Sequence, residues 1–156
     1  MKTITYLAIL LFTITGCKCH KTTIENAGTT AETMKLQQNL PELVYESLTR
    51  GFYQKITIEQ GKFLVQDASD AKPKEVALTD TDIEALYKAY AAIDVKQLSA
   101  LKAPTEKRFY DGAPITYLAI TSGGEEYKTP DFDGGYPPAY IENLVNTILK
   151  IEAKKQ

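Results

Sequence analysis

The stretch FYQKITIE at residues 52–59 indicates the fold class most clearly. Ile56 and Ile58 share one face with the first and third residues of the stretch, and the intervening residues share the other face. This alternation has the period of a half-buried β-strand. The turn at 60–62 and the largely apolar residues 63–67 then predict the returning strand of a hairpin.

A helix is predicted after this hairpin. Thr79 can cap its start, and Asp82 lies three residues later, as in a capping box. Residues 83–91 then carry large apolar side chains at helical spacing. Before the hairpin, the short apolar segment 43–47 is compatible with either a strand or one turn of helix.

A second hairpin and a second helix follow. Residues 115–121 alternate as a strand, 122–125 contain two glycines that suit a tight turn, and 126–129 return. Residues 137–149 begin with two prolines and continue with an amphipathic pattern, which predicts the last helix. The order ββαββα predicts an α+β fold, with a four-stranded, largely antiparallel sheet and two helices on one face.

Residues 1–16 have the form of a signal peptide. Lys2 gives a positive start, and the apolar run at 4–14 is about half as long as a membrane-spanning helix requires. The run ends in Ile14-Thr15-Gly16-Cys17, which resembles the lipobox of bacterial lipoproteins. The resemblance implies cleavage before Cys17 and a diacylglycerol group on its sulfur, so that the protein is held on a membrane by its acyl chains.

Other interpretations of this region remain open. Cys17 can be a chance residue after a secretory signal, or the apolar run can be an uncleaved anchor. Cys17-Lys18-Cys19-His20 can also be read as a soft-metal site, although haem attachment needs two residues between the cysteines. In lipoproteins of Gram-negative bacteria, Asp directly after the lipidated Cys is associated with retention in the inner membrane. Lys18 therefore favours the outer membrane by that resemblance.

The sequence predicts one domain behind a tether. Residues 17–40 comprise the lipidated Cys and a flexible tether that is rich in Thr, Glu, Ala, Lys and Gln, in which a short helix near residues 31–40 is conceivable. Residues 41–151 form the single α+β domain, and 152–156 form a C-terminal tail.

Composition excludes several function classes. The formal net charge is −2 with intermixed signs, whereas a nucleic-acid-binding protein needs a basic stripe. The only Cys and His residues are Cys17, Cys19 and His20, so the predicted domain has none of either, and the chain has no Trp. The domain therefore lacks the His of a Ser-His-Asp triad and the ligands of a His-based metal site, and we expect no cofactor.

Polar and aromatic residues concentrate in two segments, 107–114 and 127–136. If the second hairpin turns at Gly123-Gly124, residues whose numbers sum to about 247 are paired, and the two segments meet at one end of the sheet. Binding residues often lie on such loops. The candidate binding surface consists of Arg108, Tyr110, Asp111, Asp131, Asp133 and Tyr136.

These residues have other interpretations. Asp and Gly are common in turns, so the cluster can be purely structural. Asp131, Asp133 and Glu142 match positions 1, 3 and 12 of an EF-hand, but position 6, where the loop needs Gly, is Tyr136. No metal site is therefore predicted. Asp111 with Asp131 or Asp133 can also supply the carboxylate pair of a glycosidase-like enzyme. Tyr53 on the outward strand face, with Tyr140 near the loop end, can extend an amphipathic contact surface, although Tyr140 can also simply pack the last helix.

The body of the chain resembles two groups of proteins. Arg50-Gly51-Phe52, Asp111-Gly112-Ala113 and the loop from Asp131 to Pro138 resemble small uncharacterised bacterial lipoproteins. The layout of Gly51-Phe52, Asp111-Gly112, Tyr117 and the Pro138-Ala139-Tyr140-Ile141 segment with Leu144 is similar to emfourin, a family of small inhibitors of thermolysin-like proteases. Arg50 occupies the place of the second Gly in the emfourin pattern, and no inhibitory residue is transferred.

The leading hypothesis is a lipid-anchored protein of the cell envelope, in which a small non-enzymatic domain binds an envelope protein or another macromolecule. Its predicted partners are the membrane, through the lipid anchor, and that macromolecule, with no nucleic acid. An emfourin-like protease inhibitor and a carboxylate-based envelope enzyme are the alternatives.

Overall fold

The computed structural model describes residues 27–154. The predicted signal peptide and Cys17 lie outside the described residues. The strands are β1 (Glu42–Thr49), β2 (Phe52–Glu59), β3 (Lys62–Gln66), β4 (Lys74–Val76), β5 (Ile115–Ser122), β6 (Glu125–Lys128) and β7 (Phe132–Asp133). The α-helices are α1 (Ala27–Gln38), α2 (Asp80–Ala91) and α3 (Glu142–Glu152), and 3₁₀ helices span Val95–Ala100 and Lys107–Tyr110. None of these helices is long and apolar enough to span a bilayer.

The strands form one antiparallel sheet in the order β4-β3-β2-β1-β5-β6, and β7 pairs with the start of β5. β1 lies in the middle, since Leu43 is opposite Ile58 of β2 and also opposite Ile120 of β5. The prediction of an α+β fold with an antiparallel sheet is confirmed. The prediction of four strands in two hairpin-plus-helix halves is wrong, because β1, β4 and β7 complete a larger sheet.

The helix-facing side of the sheet builds the core. Leu43 and Tyr45 of β1 alternate with half-exposed residues, and Ile56, Phe63 and Leu118 are fully buried on neighbouring strands. α2 and α3 contribute to the same core through residues at helical spacing: Leu86, Ala89, Leu144, Val145, Ile148 and Ile151. The two predicted helices therefore pack against the same core as the inward side chains of the sheet.

The start of α2 follows the predicted capping box. The Thr79 N–H donates to the Asp82 carboxylate at 3.1 Å, and the Asp82 N–H donates to Thr79 Oγ1 at 3.3 Å. Lys154 places its Nζ 2.5 Å from Asp82 Oδ1, which ties the end of the described chain to this cap. α3 begins at Glu142, so the prolines predicted for its first turn, Pro137 and Pro138, precede the helix.

α1 occupies the second half of the segment predicted as a tether. Thr33 is buried, and α1 contacts α2. Near its end, Gln37 Nε2 donates to the carbonyl oxygen of Gly61 in the β2–β3 turn at 2.8 Å. These contacts show a helix packed on the domain rather than flexible chain over this half, whereas residues 17–26 lie outside the described residues.

Candidate binding surface

The structure brings the two segments, 107–114 and 127–136, together at one end of the sheet. Ile115 is opposite Asp133, and the Gly134 N–H donates to the Pro114 carbonyl at 2.8 Å. Paired residue numbers sum to 247 between β5 and β6, as expected, but to 248 between β5 and β7. The pairing thus shifts by one residue between the two short strands, and Asp133 lies opposite Ile115 instead of Pro114.

Asp133 is the fully buried carboxylate of this region. The N–H groups of Lys107 and Arg108 donate to its oxygens at 2.6 and 3.0 Å, and the Thr105 hydroxyl also donates to it. Burial by itself raises the pKa of Asp133, but the hydrogen bonds from Thr105, Arg108 and Lys107 outweigh it and hold the pKa at about 2. Asp133 is therefore ionised at neutral pH and fastens the 105–110 segment to the sheet.

Arg108 belongs to the same internal cluster. Its Nη1 lies 3.0 Å from Asp133 Oδ1 and donates also to the Thr105 carbonyl at 3.0 Å. The side chain is only 13% exposed, and its guanidinium lies 4.3 Å from the centroid of the Phe109 ring. Arg108 and Asp133, both predicted as contact residues, are thus paired with each other beneath the surface.

Asp111 and Asp131 lie at the periphery. Asp111 ends the second 3₁₀ helix in the left-handed conformation (φ 58°), which Asp tolerates better than most residues, and its N–H donates to the Lys107 carbonyl. Both side chains are exposed, and within residues 27–154 neither is assigned a hydrogen bond or an ion pair. No group of three or more His, Cys, Asp and Glu residues in the described part of the chain is arranged to hold a metal ion.

Several large apolar side chains are exposed at the end of the sheet that holds the Asp133 cluster. Phe109 and Tyr110, on the second 3₁₀ helix, are each 71% exposed, and four others are between 37% and 43% exposed. We call this set the aromatic rim: Leu48, Phe52, Phe109, Tyr110, Ile115 and Tyr136. At roughly 200 Å² per aromatic side chain, its four rings alone expose about 450 Å². The largest apolar patch of a typical monomer exposes about 300–600 Å² and is often functional, and the rim falls within that range.

Strand pairing explains how distant residues form the rim. Leu48, near the end of β1, is opposite both Tyr53 of β2 and Ile115 of β5. Ile115 is also opposite Asp133, and Asp133 accepts a hydrogen bond from the Lys107 N–H of the second 3₁₀ helix. The Nζ atom of Lys107 in turn lies 3.7 Å from the centroid of the Tyr136 ring. Contact with the Tyr136 side chain raises the pKa of Lys107, so its ammonium group stays charged beside the ring.

Sequence reasoning found two of the six rim residues, Tyr110 and Tyr136. It missed Phe109, although this residue directly precedes Tyr110 in a segment with several turn-forming residues. Leu48 and Ile115 carried no local signal, because only the pairing of β1 with β5 brings them together. The predicted Tyr140 lies elsewhere, since its hydroxyl accepts a hydrogen bond from the Asp94 N–H at 2.8 Å.

A shallow depression of about 360 Å³ lies beside the rim, between Leu48, Phe52 and the loop at 67–69. On the outward face of the sheet next to it, Lys55 and Glu46 form an ion pair at 3.7 Å, and Lys128 Nζ lies 3.5 Å from the centroid of the Tyr117 ring. The rim thus continues into a half-exposed, amphipathic sheet surface.

Comparisons of the chain with models of protein families, with curated proteins and with solved structures return no significant match. The functional argument therefore depends on the sequence and on the geometry of this surface.

Proposed function

We propose that this chain is a lipid-anchored protein of the cell envelope, whose α+β domain binds another macromolecule through the aromatic rim without catalysing a reaction. The observation that carries the binding role is the exposure of Phe109 and Tyr110, together with four further apolar side chains, at one end of the sheet. Exposed apolar patches of this size mark interaction sites more often than other surface regions do.

The anchor is supported by the N-terminal sequence. The apolar run at 4–14 leads into Ile14-Thr15-Gly16-Cys17, the lipobox-like tetrapeptide. One acyl chain gives only marginal membrane binding, whereas two or three chains on Cys17 hold a protein stably. Lys18 in the following position favours the outer membrane.

The rigid support of the rim favours binding. Asp133 accepts hydrogen bonds from both backbone and side chain of Arg108, and this fixes the segment that presents Phe109 and Tyr110. A contact surface that is ordered before binding loses less conformational entropy when the complex forms. Aromatic side chains are also enriched at protein interfaces.

The chemistry of the carboxylates favours binding over hydrolysis. A glycosidase-like mechanism needs one carboxyl group with a raised pKa as its general acid. Asp133 has a pKa of about 2, and its oxygens are occupied by internal donors. Asp111 and Asp131 are exposed to solvent, so neither lies in the enclosed, water-excluded pocket that a general acid occupies.

An emfourin-like protease inhibitor is the second candidate. The observation that favours it is the location of two resemblance motifs, Gly51-Phe52 and Asp111-Gly112, at the end of the sheet that carries the rim. The assay is inhibition of a thermolysin-like protease by the mature chain (residues 17–156) carrying Cys17→Ser. If this candidate is right, inhibition occurs at micromolar concentration and Phe109→Ser weakens it. Full protease activity at that concentration ends the idea.

The anchor is tested by fatty-acid labelling in a Gram-negative host. We expect Cys17→Ser to lose both the acyl label and recovery in the outer-membrane fraction. Cys19→Ser is the matched control, because it removes the neighbouring thiol and leaves the lipobox intact. Labelling that survives Cys17→Ser would contradict the anchor.

The rim is tested with a photoreactive phenylalanine analogue in the same cells. The analogue at position 109 is expected to give an adduct with another macromolecule after irradiation. The control carries it at position 34, because Met34 is 58% exposed on α1 and is not part of the rim. Equal adduct formation at both positions, or none at position 109, would contradict a binding role for the rim.

A further inference from the structure

We infer that the aromatic rim also docks on a lipid bilayer, namely the membrane that carries the anchor. This inference rests on the proposed lipid anchor and goes beyond the proposed macromolecular partner by giving the same surface a lipid partner. Phe109, Tyr110 and Tyr136 would lie at the level of the lipid headgroups, with the sheet held above them.

The side chains of the rim have the chemistry of a membrane interface. Phe109 and Tyr110 are consecutive on a single turn and are equally exposed, so both rings project from the domain. Tyrosine rings favour the boundary between acyl chains and water, because the ring is apolar and the hydroxyl is polar. Lys107 beside the Tyr136 ring can keep its ammonium group among the headgroups while its stem lies on apolar surface.

The charges near the rim indicate how it would bind. Arg108 and Asp133 neutralise each other beneath the surface. Near the rim, the exposed Arg50 and the half-exposed Lys107 are outnumbered by the exposed carboxylates of Glu106, Asp111 and Asp131, so the rim has no excess of positive charge. Docking would therefore be driven by burial of apolar surface and would depend little on anionic lipid or on salt, in contrast to binding by polybasic segments.

The short tether predicted from the sequence keeps the domain close to the anchored membrane. Ala27, where α1 begins, lies ten residues after Cys17, and a chain of that length spans at most about 36 Å. A tether of the flexible composition that the sequence predicts gives an effective concentration in the millimolar range. A surface with modest intrinsic affinity for lipid would then be docked for much of the time.

The absence of Trp from the chain allows a specific reporter. The lipidated protein carrying Phe109→Trp is reconstituted in vesicles of phosphatidylethanolamine and phosphatidylglycerol that contain acyl-brominated lipids, which quench indole fluorescence on contact. We expect strong quenching and a blue-shifted emission at position 109. Lipidated Met34→Trp is the matched control and is expected to be neither quenched nor shifted. Equal, water-like emission from both variants overturns the inference.

A second measurement removes the contribution of the acyl chains. The mature chain carrying Cys17→Ser is sedimented with the same vesicles, and its partitioning is compared with that of the double variant that adds Phe109→Ser. Loss of one inserted ring is expected to reduce partitioning at least about tenfold, in low and high salt alike. Unchanged partitioning overturns the inference, and so does a strong dependence on salt.

The outcomes separate this inference from the proposed function. A protein adduct at position 109 in cells, combined with water-like emission on vesicles, would leave the binding role in place and overturn membrane docking. No adduct at position 109 and no quenching there would overturn both. A lipid adduct at position 109 together with quenching supports membrane docking, and if no macromolecular adduct accompanies it, the macromolecular partner is overturned.

Discussion

Replacing Asp133 by Asn tests the internal cluster that supports the rim. The variant keeps the shape of the side chain but removes the charge opposite Arg108 and turns one acceptor into a donor that faces the N–H groups. A pKa of about 2, against 3.8 for an ordinary Asp, corresponds to about 2 kcal/mol of stabilisation by the charged form. Breaking a buried ion pair by removing one partner costs about 3–5 kcal/mol. We therefore expect a loss of about 3 kcal/mol, which lowers Tm by roughly 10 °C.

The assay is urea unfolding of the mature chain carrying Cys17→Ser, at pH 7 and at pH 3. Since folding lowers the pKa of Asp133, its stabilisation is complete well above pH 3.8 and is lost as the pH falls toward about 2. The difference in unfolding free energy between Asp133→Asn and the parent should therefore shrink at pH 3. Asp131→Asn, two residues away and exposed, is the matched control and should change stability by less than about 0.5 kcal/mol. Equal stability of the two variants at pH 7 would refute the claim that the buried Asp133 carboxylate stabilises the fold.

Three further substitutions test the surrounding fold by the same unfolding assay. Thr116→Val removes one partner of the buried 2.8 Å hydrogen bond with Ser47 and should cost about 1–3 kcal/mol, and a neutral result would mean that Ser47 finds another partner. Asp82→Asn weakens both the cap of α2 and the ion pair with Lys154, and should cost about 1 kcal/mol of unfolding free energy, mostly through the cap. An equal loss from Lys154→Ala would show instead that the ion pair accounts for the cost. Gly134→Ala places a Cβ 2.9 Å from Thr116 Oγ1 and should lower the unfolding free energy by about 1–3 kcal/mol. Unchanged stability would show that the backbone near Gly134 shifts to accommodate the added methyl group.

The parts of the fold that could be predicted are those with local signals. The alternation of residues 52–59 and the turn that follows predict the β2–β3 hairpin. Thr79 and Asp82 predict the capping box of α2. β1 could not be placed, because one of its two neighbours, β5, lies far along the chain and Leu43 meets Ile120 only in the folded sheet. β4 and β7, with three and two residues, are too short to show a period.

The meeting of the two segments was predicted, but the contacts within them were not. Hairpin register brought the right segments to one end of the sheet, since that argument needs only the position of a turn. Which of these side chains are buried and which are exposed depends on contacts between residues that are 25 to 28 positions apart. Through these contacts, Thr105, Lys107 and Arg108 donate hydrogen bonds to the Asp133 carboxylate. No local pattern distinguishes a buried, fully bonded aspartate from an exposed one such as Asp131.

Oxidative footprinting of the native protein in its own membrane tests whether the rim is the contact surface of an anchored domain. Hydroxyl radicals attack exposed aromatic rings and methionine, so Phe109 and Tyr110 report on the rim and Met34 on the rest of the surface. The soluble mature chain carrying Cys17→Ser is the reference. We expect the anchored protein to show several-fold less oxidation at Phe109 and Tyr110 and an unchanged rate at Met34. Equal oxidation of the two rings in both states would contradict the proposal that the rim binds anything at the membrane.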